Sequence, residues 1–255
     1  MRKFLLWFLV GLGVALLAMV IFKRPSQPAD EFTRLMTRGN GFLESGDATN
    51  AIAAYQQVVK LAPENLDARL NLANACLLAG DLPGVIEQCQ QVLNLNHSSA
   101  AAYYLMGCAQ LRLNQAEPAV QAFQQSKQID PAVTALNFQL GLAQAKLGHP
   151  DEAIGEFETV VQFEPEHASA HYQLSQLYQR AGRADDAARE MQKHQEIQAR
   201  NPGRLSDPAT FERCKYTQPQ NAFVLEQPER RGIPVHFVEA TRRLNCNCAK
   251  RTCRS

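Results

Sequence analysis

The sequence predicts an all-α fold made of five stacked copies of one helix–turn–helix unit. In residues 134–167, apolar side chains recur at helical spacing on both sides of a short break at Gly148, His149 and Pro150, which indicates two amphipathic helices. The pattern recurs every 34 residues, without an insertion, from residue 32 to residue 201. Because a lone helical hairpin cannot bury its apolar face, the copies are expected to stack side by side.

Residues at equivalent positions define the two helices and the turn of each repeat. The first helix carries a small residue at Gly39, Ala73, Gly107, Gly141 and Ser175. The second helix carries its partner at Ala51, Val85, Ala119, Ala153 and Ala187, followed four places later by Tyr55, Cys89, Phe123, Phe157 and Met191. The turn between the helices holds Gly46, Gly80, Asn114, Gly148 and Gly182, which all tolerate a left-handed backbone. We therefore expect a close helix crossing and a left-handed turn in every repeat.

This code of small, bulky and turn residues, with Pro63, Pro131 and Pro165 near repeat ends, resembles the tetratricopeptide repeat (TPR) family. The resemblance implies a right-handed superhelix and a concave groove that is lined by the first helix of each repeat. It also implies binding of other proteins. The repeats are expected at residues 32–65, 66–99, 100–133, 134–167 and 168–201.

Charge and motif content exclude several classes of function. Residues 25–201 hold 12 Lys and Arg against 20 Asp and Glu, a net charge of −8. An acidic repeat region argues against nucleic acid as the partner, because phosphate contacts need clustered cations. The sequence has no metalloprotease motif, phosphate-binding glycine loop or nucleophile elbow. It therefore predicts neither an enzyme nor a cofactor or metal site.

Three sets of polar and aromatic residues are predicted to line the groove. The aromatic set is Tyr104, Phe138 and Tyr172, the amide set is Asn40, Asn71, Asn74, Gln139 and Gln176, and the cationic set is Arg112, Lys146 and Arg180. Amides can pair with both backbone groups of an extended peptide, aromatics bury much area, and cations favour an acidic segment. The predicted partner is thus an extended, acidic segment of a protein. An alternative remains open, in which the aromatics pack between repeats and the cations form a solvated face.

The N-terminal stretch predicts a single-pass signal anchor. Residues 4–22 are 19 residues without a charge, close to the ~20 that span a bilayer. The competing interpretation is a cleaved secretory signal, but no small-residue cleavage site follows. We expect a transmembrane helix within residues 1–24, a linker at residues 25–31, and repeats on the extracytoplasmic, periplasmic side.

Residues 202–255 differ from the repeats, since they are rich in Pro and hold 10 basic against 5 acidic residues. The runs FERCKYT and FVLEQPERRGIPVHFVEAT resemble the connector that precedes an FG-GAP/VCBS propeller in bacterial ASPIC/UnbV-type proteins. The chain ends soon afterwards, so the sequence predicts an irregular, disordered tail and no propeller. A membrane-anchored TPR scaffold is the favoured function. The alternatives are a truncated, exported TPR-plus-propeller binding protein and a TPR assembly factor for exported proteins.

Overall fold

The computed structural model describes residues 28–200 and 214–220, and residues 28–200 form ten α-helices in five antiparallel pairs. The helices are α1 Pro28–Glu44, α2 Ala48–Leu61, α3 Leu66–Ala79, α4 Leu82–Leu95, α5 Ala100–Arg112, α6 Ala116–Ile129, α7 Thr134–Leu147, α8 Pro150–Phe163, α9 Ala168–Arg180 and α10 Ala184–Arg200. No strand occurs among the described residues. The prediction of an all-α repeat fold is confirmed.

The predicted transmembrane helix at residues 1–24 lies outside the described residues. Within residues 28–200 and 214–220, no helix combines the length and apolar character needed to cross a bilayer. The first helix begins at Pro28, inside the expected linker and four places before the repeat frame starts at Phe32. Apart from residues 214–220, the C-terminal region 202–255 also lies outside the description.

Stacking follows the order of the chain. Each helix packs against the helices before and after it in sequence, and the first helices α1, α3, α5 and α7 also contact one another in succession. Contacts of this kind join only neighbouring repeats, which is the arrangement expected of a solenoid. The first helices thus form one continuous surface along the stack. We call the surface formed by α1, α3, α5, α7 and α9 the groove.

The turns inside the repeats have the predicted left-handed conformation. Gly46, Gly80, Gly148 and Gly182 have φ between 74° and 80°, and Asn114 has a φ of 62°. Each residue lies at the end of a first helix, where the reversal satisfies terminal carbonyls. The second helix then begins at once, so the five hairpins share one geometry.

The two helices cross closely in the third and fourth repeats. A methyl group built at Gly107 would lie 2.6 Å from Cε1 of Phe123, and one built at Gly141 would lie 2.9 Å from Cε1 and Cζ of Phe157. Both rings are fully buried. Glycine is required here because the aromatic ring of the second helix occupies the space of a side chain on the first.

Candidate functional site

The groove of the second and third repeats holds a segment of the chain's own C-terminal region. Residues 214–220, CKYTQPQ, contact α3, α5 and the end of α6, and we call them the docked segment. They belong to the same compact unit as the repeats. The docked segment runs from the third repeat towards the second, because Tyr216 contacts Asp130 while Gln220 contacts Asn71. Its direction is therefore opposite to the order of the repeats.

Asn71 on α3 binds both backbone groups of one residue. Its Oδ1 accepts a hydrogen bond from the N–H of Gln220 at 2.7 Å, and its Nδ2 donates to the carbonyl oxygen of Gln220 at 2.9 Å. The side chain of Asn71 is fully buried. Its orientation is supported by Asn40 on α1, whose Oδ1 accepts from Nδ2 of Asn71 at 3.4 Å and from the hydroxyl of Tyr55 at 2.8 Å. This chain of amides positions Asn71 to pair with extended backbone.

Asn74, one turn further along α3, uses only half of its amide. Its Nδ2 donates to the carbonyl oxygen of Tyr216 at 3.0 Å. Its Oδ1 has no hydrogen-bond partner in the described part of the chain, although the residue is only 4% exposed. Asn74 also lines a cavity of about 370 Å³ between the docked segment and the first helices, with Leu77 and Arg112 among the other lining residues. A residue with a buried, unsatisfied acceptor therefore lines the cavity beside the docked segment.

Tyr216 anchors the other end of the docked segment. Its ring centroid lies 5.4 Å from that of Tyr104, which in turn lies 5.9 Å from that of Phe123. The hydroxyl of Tyr216 donates to Oδ2 of Asp130 at 2.6 Å, and the ammonium group of Lys215 forms an ion pair with the same oxygen. The site therefore binds a basic residue followed directly by tyrosine.

The pKa shifts of these groups agree with that geometry. Hydrogen bonds from Lys215 and Tyr216 lower the pKa of Asp130, while burial and the bond to Asp130 raise the pKa of Tyr216. At neutral pH a protonated phenol therefore faces an ionised carboxylate. Hydrogen bonds to a charged acceptor are about twice as strong as neutral ones.

Two of the predicted groove cations connect consecutive repeats. Arg112 donates from Nη1 to the carbonyl oxygen of Leu77 at 2.9 Å, near the end of α3. Lys146 donates to the carbonyl oxygen of Leu111 at 3.4 Å and to Oδ1 of Asn114 at 3.2 Å, at the end of α5. Cations at a helix C-terminus complement its partial negative charge. The third predicted cation, Arg180, is exposed at the end of α9.

The aromatic set divides into three different environments. Tyr104 is fully buried and contacts Tyr216 of the docked segment. Phe138 is 1% exposed and lies in an apolar cluster formed by α7, α8 and α9, with its ring edge-on to that of Phe157 at 5.5 Å. Tyr172 is 41% exposed. Of the remaining amides, Gln139 is 3% exposed and Gln176 is half-buried.

Sequence reasoning missed Asp130 and the docked segment. Asp130 stands between α6 and Pro131, where it resembles any polar residue of a turn. The docked segment lies in a Pro-rich stretch without helical periodicity. The run of Lys215 and Tyr216 is the only local signal, and a basic–aromatic pair alone does not identify a ligand.

Comparison with known families agrees with the repeat frame. Four tetratricopeptide repeat models match the chain, at residues 10–65, 42–109, 100–133 and 138–202. No curated protein matches the sequence.

Solved structures of MamA share the fold. A crystal structure of MamA is 26% identical, covers 64% of this chain and 96% of its own, and superposes with a TM-score of 0.59. A second MamA crystal structure is also 26% identical, with 70% and 98% coverage and a TM-score of 0.59. MamA residues 41-end from Desulfovibrio magneticus RS-1 are 19% identical, with 68% and 97% coverage and a TM-score of 0.63.

Proposed function

Because the chain belongs to the tetratricopeptide repeat family, we propose that it is a scaffold that binds an extended segment of a partner protein in its groove. The pairing of Asn71 with both backbone groups of Gln220 carries this proposal. A side-chain amide that holds one N–H and one carbonyl recognises extended backbone whatever the side chain attached to it. The groove is thus equipped to bind a peptide chain.

The fourth and fifth repeats supply the open part of the groove. Tyr172 is 41% exposed and Arg180 is exposed on the same helix, with the amide of Gln176 between them in sequence. An exposed aromatic gives a large contact area at low entropy cost, and a cation beside it favours an acidic neighbour. We therefore assign the acidic part of the partner segment to this end of the groove.

Site-specific photocrosslinking tests the groove as the binding surface. p-Benzoylphenylalanine replaces Tyr172 in the full chain, expressed in its native membranes, and crosslinked peptides are identified by mass spectrometry. Phe163, which is 70% exposed on the second helix α8, provides the matched aromatic control. We expect crosslinks from position 172 to converge on one extended segment and to decrease in an Arg180→Glu variant. Equal capture of that segment from position 163 would refute the groove as the site.

A membrane anchor at residues 4–22 completes the proposed function. The support is a run of 19 uncharged residues followed by Lys23 and Arg24. An anchor there would hold the groove next to a membrane, on the extracytoplasmic side. Carbonate extraction of membranes tests it: the full chain is expected in the pellet with its N-terminus intact, and a soluble form that starts near residue 23 would refute it.

A further inference from the structure

The docked segment occupies the peptide-binding surface of the protein that carries it. Asn71, Asn74, Tyr104 and Asp130 all contact it through hydrogen bonds or ring packing. The groups of these residues that contact the segment are therefore not available to another peptide while the segment is in place. A partner that uses the same groups must first displace residues 214–220.

We infer that the docked segment is a displaceable internal ligand, and that the partner replacing it carries a basic residue and tyrosine, then a large apolar side chain, then extended backbone. This inference rests on the proposed function, since it names the partner class of the same groove. Three observations on the docked segment support it, and each concerns a different part of the segment.

The first observation is the charge and hydroxyl recognition at Asp130. One carboxylate accepts from the hydroxyl of Tyr216 and pairs with the ammonium group of Lys215. Tyr104 packs against the ring of Tyr216 at 5.4 Å and excludes water from one side. A phenylalanine in place of tyrosine would not donate to this partly exposed carboxylate, so the site favours tyrosine over phenylalanine by the loss of one charge-assisted hydrogen bond.

The second observation is the spacing between the two backbone contacts. Asn74 binds the carbonyl of Tyr216, and Asn71 binds both backbone groups of Gln220, four residues later. Residues 214–217 form a turn in which the N–H of Thr217 donates to the carbonyl oxygen of Cys214, and Gln220 follows it. Backbone contacts do not depend on side-chain identity, so they require only that the partner have this turn at its tyrosine and place its backbone at both amides. Asn71 and Asn74 therefore fix the position of the partner's backbone, and Asp130 selects the side chains of its basic residue and tyrosine.

The third observation is that the docked segment leaves part of the site unused. The buried Oδ1 of Asn74 lacks a partner in the described residues, and the cavity of about 370 Å³ lies beside Thr217, Gln218 and Pro219. Leu43, Leu77 and Leu78 line its other side. A partner with a large apolar residue here would fill the cavity that the docked segment does not fill. Such a segment binds more tightly than residues 214–220 and can replace them.

Peptide binding to the full chain in lipid nanodiscs tests the inference. The ligand is a fluorescent peptide with the sequence of residues 214–220, measured by fluorescence anisotropy. We expect at least tenfold tighter binding to a Tyr216→Ala chain than to the wild-type chain, because the substitution removes the internal competitor. Equal affinities for the two chains would overturn the inference.

Modified peptides test the recognition without any change to the fold. Methylation of the Gln220 backbone nitrogen removes the donor to Asn71 and is expected to weaken binding to the Tyr216→Ala chain by roughly tenfold to a hundredfold. A Gln218→Leu peptide is expected to bind roughly tenfold more tightly than the matched Gln218→Ala peptide, since only leucine fills the cavity. A methylated peptide that binds unchanged would overturn the backbone recognition, and equal binding of the Gln218 pair would overturn the apolar position.

Two further outcomes separate this inference from the proposed function. If no peptide binds the Tyr216→Ala chain but position 172 still crosslinks to one partner segment, the inference fails and the proposed function stands. If crosslinking fails as well, both fail. A wild-type dimer that dissociates on Tyr216→Ala substitution would assign the segment to a second copy of the chain and overturn the partner class.

Discussion

Replacing Gly141 with alanine tests the physical basis of the repeat. The methyl group would lie 2.9 Å from Cε1 and Cζ of Phe157, whereas ordinary carbon contacts begin near 3.4 Å. Phe157 is fully buried, and its ring packs edge-on against that of Phe138 at 5.5 Å. The ring therefore has to move within a close-packed cluster, and added volume of this kind costs about 1–3 kcal/mol.

Gly155 supplies a matched control within the same repeat. It lies in α8, and a methyl group built on it would meet no atom within 4 Å. Both substitutions raise helix propensity by up to about 1 kcal/mol, so this contribution cancels between them. Gly155→Ala should stabilise the protein by that amount. The difference in unfolding free energy between the two variants should then equal the packing cost, about 1–3 kcal/mol.

Urea unfolding followed by circular dichroism measures that difference, and hydrogen exchange locates it. Because stability in a solenoid is approximately a sum over nearest neighbours, loss of amide protection in Gly141→Ala should begin in α7 and α8 and their neighbours. A Gly141→Ala variant as stable as Gly155→Ala would show that the crossing has room for a side chain. Uniform loss of protection over all five repeats would contradict nearest-neighbour coupling.

Three further predictions concern the groove and the termini. Phe138→Ala should destabilise the protein by about 3–5 kcal/mol in urea unfolding because its ring is buried, whereas Phe163→Ala at an exposed site should change stability little. Docking lowers the pKa of Asp130, so the ionised carboxylate stabilises the docked segment. This stabilisation is complete above the ordinary carboxylate pKa of about 4 and is lost as the pH falls further. Fluorescence of Tyr216 or hydrogen exchange of the docked segment should show the loss. Protease added outside cells with a permeabilised outer envelope should digest the repeats and leave residues 4–22 with the membrane, and protected repeats would reverse the orientation.

The repeat fold could be predicted from the sequence alone because the residues that define it act within one hairpin. Glycine at the turns, as in Gly80 and Gly148, and small residues at the crossings, as in Gly107 and Gly141, act within one hairpin and recur every 34 residues. Stacking then adds the same contact at each step, so the frame found in one repeat extends to all. The sequence therefore determined the helices, their pairing and the surface on which the first helices lie.

The placement of individual groove residues depended on what packs above them. Phe138 and Tyr172 occupy equivalent places in consecutive repeats, yet Phe138 is 1% exposed and Tyr172 is 41% exposed. Helix α9 covers Phe138, while no further repeat follows α10 among the described residues. Periodicity assigns a side chain to a face but does not state whether a neighbour covers it, so exposure came only from the packed structure.

Only the tertiary structure brought together the groove and the docked segment. Asn71 and Gln220 are separated by 149 positions, and Tyr216 and Asp130 by 86. The docked segment has no repeat period, and its contacts with Asn71 and Asn74 use its backbone, whose hydrogen-bonding groups are the same in every sequence. Asn71 and Asn74 could be predicted to bind a peptide because a side-chain amide can both donate to and accept from a backbone. Which peptide they bind depends on a fold that places two distant stretches side by side.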